Sequence, residues 1–456
     1  MKKAVLILLS ALLVVSTVIS GCGLRDQKTE GKPGDNFDSA SSKETSSASQ
    51  KVTITYICDA YWPERLQQIN QQFFSKQHPN IEVKMEGYPF DQIFEVIEVK
   101  LGAGDTQFDV IAVDVPMVAG YGFRDYLLPL DEYFTKEEKE KIIPSAVEAG
   151  TYNGKFLAPP MMSSSQLLYY NKDILQKAGI QFPSEDVNQR WTWEKISDAS
   201  MQVMQKLNPD GKSGIWGFTF EQISRPYQIL ALPNSLGAKG IGDDGVTVDG
   251  VLNSSEWIKA MTYYYDLHNT WKVSPKGLKP GETNELFKSG KMAFFVGGPW
   301  NISQFEEVKD LKWGVAPHPY FEGAKPATPT GSWHYGVNKN SKHPKEAVEW
   351  IKYMSIGEGS EKWFEADGNL PATKALLNSI IDDKDGKYKE FPKSAYKITA
   401  YEAMNTAFPR PLTPGYREWD TTVTATLEDI RNGADPKTAL EDAVARLKTA
   451  LTKYKK

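Results

Sequence analysis

Residues 51–114 read KVTITYICDAYWPERLQQINQQFFSKQHPNIEVKMEGYPFDQIFEVIEVKLGAGDTQFDVIAVD. Lys51 to Ile57 alternates as a strand does. Pro63 suits the first turn of a helix, and Leu66, Ile69 and Phe73 recur at helical spacing until His78-Pro79-Asn80 stops it. Ile81 to Met85 is a second strand, and Phe90, Ile93, Ile97 and Leu101 mark a second helix that Gly102-Ala103-Gly104 breaks. Phe108 to Val113 is nearly all apolar, as a strand buried on both faces is. The order β-α-β-α-β calls for an α/β fold with a mainly parallel sheet flanked by helices. In open sheets of that kind ligands sit beyond the carboxyl ends of the strands. Asp59 and Asp114 fall there, after the first and third strands. Each is also a candidate helix cap, Asp114 above all because Val115-Pro116 follows it, and a cap and a ligand contact can coexist.

Upstream of this stretch the chain changes character twice. Lys2 and Lys3 precede an apolar run from Ala4 to Val15, and Ile19-Ser20-Gly21-Cys22 closes it. The run falls short of the roughly 20 apolar residues of a membrane-spanning helix and reads as a lipoprotein signal over residues 1–21, cleaved before a lipid-modified Cys22. An ordinary secretory peptide with a chance cysteine is the alternative. Residues 22–50, dominated by Ser, Lys, Asp, Glu, Thr and Gly, have too little apolar area to offset chain entropy and read as a flexible tether. The expected location is the outer face of a bacterial membrane, held there by lipid.

The remaining ~400 residues have ordinary globular composition and exceed what one core usually holds, so two lobes are expected. The cysteines are Cys22 and Cys58, with no CxxC and no thiolate pair at zinc spacing, which excludes a disulfide framework and a thiolate metal site. No cofactor is called for. A net charge of -5 and a pI near 5.8 argue against a nucleic-acid partner. Aromatic residues make up 12% of the chain and include 12 Trp, several of them beside Gly, Pro or Asp where helical packing does not account for them.

Farther along, Tyr169-Tyr170-Asn171-Lys172-Asp173-Ile174 leads from a strand into a helix capped by Gly179, and Ala347, Trp350, Ile351 and Met354 share one helical face, which makes Trp350 a core residue. The first of these segments, extended from Leu168 to Ile180, is one of four that carry a resemblance. The others are Leu286 to Trp300 (LFKSGKMAFFVGGPW), Gly336 to Ala347 (GVNKNSKHPKEA) and Ile430 to Leu440 (IRNGADPKTAL). Together, in this order, they resemble the extracellular solute-binding proteins of carbohydrate ABC importers, similar in layout to maltose-binding protein, over most of residues 51–456. The resemblance implies a two-lobed periplasmic-binding-protein fold, type II-like, with a ligand cleft between lobes. Lobe 1 would take residues 51–163 and 331–372, and lobe 2 residues 164–330 and 373–456. Hinge crossings are expected near Met162 to Gln166, Thr330 to Trp333 and Ala372 to Lys374. It also implies a monomer whose partners are a carbohydrate and the permease subunits of the importer, and which closes on its ligand without making or breaking a bond.

Sugar rings present a weakly polar C–H face to aromatic side chains, and hydroxyls to carboxylate, amide and guanidinium groups. Trp300, directly after Gly297-Gly298-Pro299, matches a sugar-contacting aromatic of the resembled family; the alternative is packing beneath the second lobe. Tyr61 and Trp62 at the end of the first strand, Trp333 beside Gly331-Ser332, and Trp419 after a Pro- and Gly-rich segment stay open between ligand contact and packing. Asp59 and Asp114 are candidate acceptors, Arg410 a candidate donor or a structural ion pair, and Glu221 a further candidate after the strand-like Trp216 to Phe220.

Two other readings compete. An extracellular glycoside hydrolase would need only two suitably placed carboxylates, although G-x-S-x-G, H-E-x-x-H and metal-ligand spacing of the five His are missing. A polyamine site would also be aromatic and acidic. A phosphate site is disfavoured, because no Arg or Lys cluster is evident beside the expected cleft.

Overall fold

The N-terminal alternation folds as a β-α-β-α-β unit in the computed structural model, which describes residues 51–279 and 281–455. The expected signal segment, the lipidated Cys22 and the tether to residue 50 lie outside the described residues. In chain order the strands are β1 (Val52–Asp59), β2 (Ile81–Tyr88), β3 (Val110–Asp114), β4 (Thr151–Tyr152), β5 (Lys155–Phe156), β6 (Leu167–Asn171), β7 (Trp216–Phe220), β8 (Met292–Gly297), β9 (Trp313–Ala316), β10 (Thr328–Thr330), β11 (Trp333–Val337) and β12 (Ala407–Pro409). Strands β4 and β5 form a small antiparallel hairpin.

The first large sheet has the order β11-β3-β1-β2, with β1 parallel to β2 and β3, and β11 antiparallel to β3. The helices expected between its strands are present. The first runs from Pro63 to Gln77 with a wider π turn over Asn70–Phe74, where Asn70 accepts a 2.9 Å hydrogen bond from the Trp350 indole. Trp350 is fully buried, as its helical face requires. The second, Phe90–Gly102, buries Ile93, Ile97 and Leu101 but leaves Phe90 43% exposed. That ring keeps the helical spacing but sits in the first helical turn and stays open to solvent.

The second large sheet has the order β7-β8-β6-β9. Three of its four strands run in one direction, as in the first sheet. The reverse strand, β6, lies inside the sheet instead of at its edge, so only β7 and β8 pair in parallel. Its side chains alternate between two cores: Leu167 and Tyr169 join Phe287, Phe295, Phe305 and Trp313, while Leu168 and Tyr170 face the larger cluster.

Between the sheets the chain segments draw together. The Ser163 N–H donates to the Leu370 carbonyl, Ser164 bridges Gly331, and the Thr330 hydroxyl donates to the Ser164 carbonyl. Thr373 bridges Ile142. Strand β10 pairs in parallel with β12. Ser332, in the segment leading into β11, has φ +106°, a strained conformation for a residue with a Cβ.

Candidate ligand-binding site

A cavity of about 350 Å³ opens where β1, β3 and β11 meet the residues that follow β7 and β8. Its walls bring together seven of the nine candidates: Asp59, Tyr61, Trp62, Asp114, Trp300, Trp333 and Arg410. Asp59 and Asp114 stand at the ends of adjacent strands, and Asp114 is in register with Trp333.

The aromatic wall is built in layers. Trp62 meets Trp333 edge-on at 5.3 Å, Trp333 stacks on Phe94 at 5.7 Å, and Phe90 meets Trp333 at 6.1 Å. Each ring supported from behind is fixed in orientation before any solute arrives. Tyr61, 81% exposed, stands at the rim.

Trp300 is held by a different device. Its indole N–H donates to Glu221 at 2.6 Å, and Glu221 also accepts from Gln228 at 2.9 Å and from the Gly298 N–H at 3.2 Å. A Cβ on Gly298 would lie 2.1 Å from ring carbons of Trp300, so the glycine is needed to let the indole lie over its own backbone. Glu221 therefore positions Trp300 and is not among the cavity walls. Burial raises its carboxyl from the ordinary value, and these hydrogen bonds oppose the rise.

The two strand-end carboxylates differ. Asp59 accepts from the Tyr61 N–H at 2.9 Å, a local turn contact, while burial raises its carboxyl. Asp114 makes no capping bond; its carboxylate is claimed by Arg410, with Nη1 to Oδ2 at 3.1 Å and Nη2 to Oδ1 as the second contact. This corrects the capping reading of Asp114 and resolves Arg410 as an ion pair at the cavity wall. Arg410 also stacks over Tyr227 at 4.6 Å, and its Nε is buried without a partner.

Trp419 is a correction. It is fully buried in the helix Tyr416–Asn432, stacks on Tyr416 at 5.8 Å and donates its indole N–H to the Gly240 carbonyl at 2.7 Å. The Pro- and Gly-rich segment before it ends at Gly415, the helix begins at Tyr416, and the ring faces the core.

Several wall residues went unread in the sequence: Phe90, Gln222, Arg225, Tyr227 and Asn369. The Oε1 of Gln222 is buried without a hydrogen-bond partner. The expectation that no Arg or Lys cluster lies beside the cleft is corrected by Arg225, which joins the anticipated Arg410 in the cavity wall. The signal for Arg225 was its place just after β7, on the side of the sheet where Glu221 had been noticed. Among the described residues no cluster of His, Cys, Asp or Glu could hold a metal ion, and Cys58 is buried and unpaired.

The profile of the bacterial extracellular solute-binding proteins matches residues 57–355. The chain belongs to that family. Among its curated relatives, the maltodextrin-binding protein MdxE of Bacillus subtilis is 25% identical over 417 residues, covering 90% of this chain and 92% of its own. The sn-glycerol-3-phosphate-binding periplasmic protein UgpB of Pectobacterium atrosepticum is 26% identical over 66% of this chain and 68% of its own. Both are binding proteins. Among solved structures, a substrate-binding protein from Listeria monocytogenes in complex with cycloalternan superposes with TM-score 0.73 at 22% identity, covering 88% of this chain and 99% of its own. A cyclo/maltodextrin-binding protein complexed with maltotetraose gives 0.72 at 23%, covering 90% and 100%. The solute-binding protein thus has the two-lobed fold of these structures, and the cavity is its candidate ligand site.

Proposed function

We propose that this solute-binding protein captures a sugar or oligosaccharide in the cavity by closing its lobes and delivers it to the permease of an ABC importer, held at the membrane by lipid on Cys22. The observation that carries the reading is the oriented aromatic wall of Trp62, Trp300 and Trp333 beside the Asp59 carboxylate and the unpartnered Gln222 amide oxygen, which together suit the C–H faces and hydroxyls of a pyranose. The sugars named for its relatives support the same class. Lobe 1 is assigned residues 51–163 and 331–372, and lobe 2 residues 164–330 and 373–456; the return of β11 to the first sheet supports this division.

Tryptophan fluorescence and calorimetry on the full chain in mild detergent, titrated with neutral and acidic oligosaccharides and with polyamines, test the reading. A saturable response to an intact sugar is expected, weakened about 30-fold or more in Trp300→Ala, the loss typical of an aromatic hot spot. Cleaved sugar would instead make the protein a glycoside hydrolase. A response to polyamines alone would keep the fold and change the solute. Membrane release of Cys22→Ser tests the anchor.

A further inference from the structure

We propose that the solute is an acidic sugar, whose carboxylate is received by Arg225. The inference rests on the sugar reading above and narrows it. Arg225 lines the cavity with 29% of its side chain exposed. Its nearest carboxylate oxygen, Asp114 Oδ2, is 4.0 Å away and already accepts from Arg410 at 3.1 Å. Asp114 therefore has one negative charge facing two guanidinium groups, and the shorter contacts belong to Arg410.

The other groups around Arg225 do not complete its neutralisation. Asp420, from the helix Tyr416–Asn432, feels both guanidinium charges, but burial raises its carboxyl and its hydrogen bond comes from Tyr416 at 3.2 Å. Phe90 lies 5.5 Å from the guanidinium carbon and offers its ring face, which steadies the cation and leaves N–H groups to donate. A partly buried cation with donors to spare, in a solute cavity, is complemented by an anion. It also repels a polycation, which weighs against a polyamine.

A carboxylate fits better than a phosphate. Two N–H groups of a planar guanidinium match the two oxygens of a carboxylate. Phosphate sites commonly recruit free N–H groups at the start of a helix. The helix after Arg225, Pro226–Ile229, has four residues and begins with a proline that has no N–H to offer.

The test is a calorimetric titration of the full chain in mild detergent. The probes are monomers and short oligomers of galacturonate, glucuronate, mannuronate and guluronate, the corresponding neutral sugars, and their 6-phosphates. At least one uronate is expected to bind tenfold or more tighter than its neutral counterpart, with the preference weakening as salt rises. Arg225→Gln should bring that ratio to about one, and Arg225→Lys, which keeps the charge and loses the fork, should fall between. Neutral sugars binding as tightly as every uronate would overturn the inference and leave the sugar reading standing, as would a preference for the sugar phosphates. An undiminished uronate preference in Arg225→Gln would also overturn it. If no sugar of any class binds, both fall together.

Discussion

Two buried arginine–carboxylate pairs join distant parts of this chain, and they are built for different ends. Arg190 and Glu402 lie away from the cavity, with side chains 5% and 0% exposed. The Glu402 carboxylate also accepts from the His318 N–H at 3.0 Å, from Thr328 at 3.1 Å and from Thr406. Its lone pairs are filled by the protein. Arg410 and Asp114 are nearly as buried but stand in the cavity wall, where Arg225 competes for the carboxylate and the Arg410 Nε has no partner. The same two chemical groups, guanidinium and carboxylate, make a closed tie in one place and an open, adjustable one in the other. A closed tie serves cohesion; an open one leaves capacity for a solute.

The contrast can be broken by removing the acid from each pair. Glu402→Ala strands Arg190 in the core and should cost about 3–5 kcal/mol in a urea melt, with the affinity of the folded fraction unchanged. A loss under 1 kcal/mol would show that the pair contributes no such cohesion. Asp114→Ala should cost less, about 2–3 kcal/mol, because cavity water can solvate Arg410, while solute binding is lost. Equal stability losses with binding intact would erase the distinction.

A third prediction sharpens the Glu402 side. His318 is held neutral, its pKa lowered to about 3, first by burial and then by the Arg190 charge. The unfolded chain takes up a proton near 6.5 and the folded one does not, so stability due to this group is full above pH 6.5 and falls as pH drops toward 3. Replacing it, as His318→Gln, should remove about 1.4 kcal/mol per pH unit from the slope of stability between pH 6 and 4. An unchanged slope would mean that His318 is protonated in the fold. The smallest effect is expected at Trp419→Phe, which forfeits the hydrogen bond to Gly240 and should cost about 1 kcal/mol with no change in affinity. A change in affinity there would return Trp419 to the site.

Local pattern was enough for the three parallel strands of the first sheet, because Lys51 to Asp114 states its periods without help from the rest of the chain, whereas the return of β11 came only from the family resemblance. It also located the strand ends, and with them Asp59, Tyr61, Trp62 and Asp114. Trp300 was marked by the glycines before it, although what the second of them, Gly298, accommodates is the indole itself. What stayed hidden depends on distance along the chain. Asp114 and Arg410 are 296 positions apart, and Arg190 and Glu402 are 212 apart, so nothing near either acid announces its partner. The place of Phe90 went unread, and Trp419 stayed open, for a more local reason. Phe90 obeys helical spacing in the first turn of its helix yet is left exposed at the cavity, and Trp419 follows loop-like residues where a long helix has already begun.

The seat of Trp300 ties two positions into one heritable unit. With a side chain on Gly298 the indole has nowhere to lie. A lineage that keeps this indole must therefore keep the glycine as well, whatever else it changes in the wall.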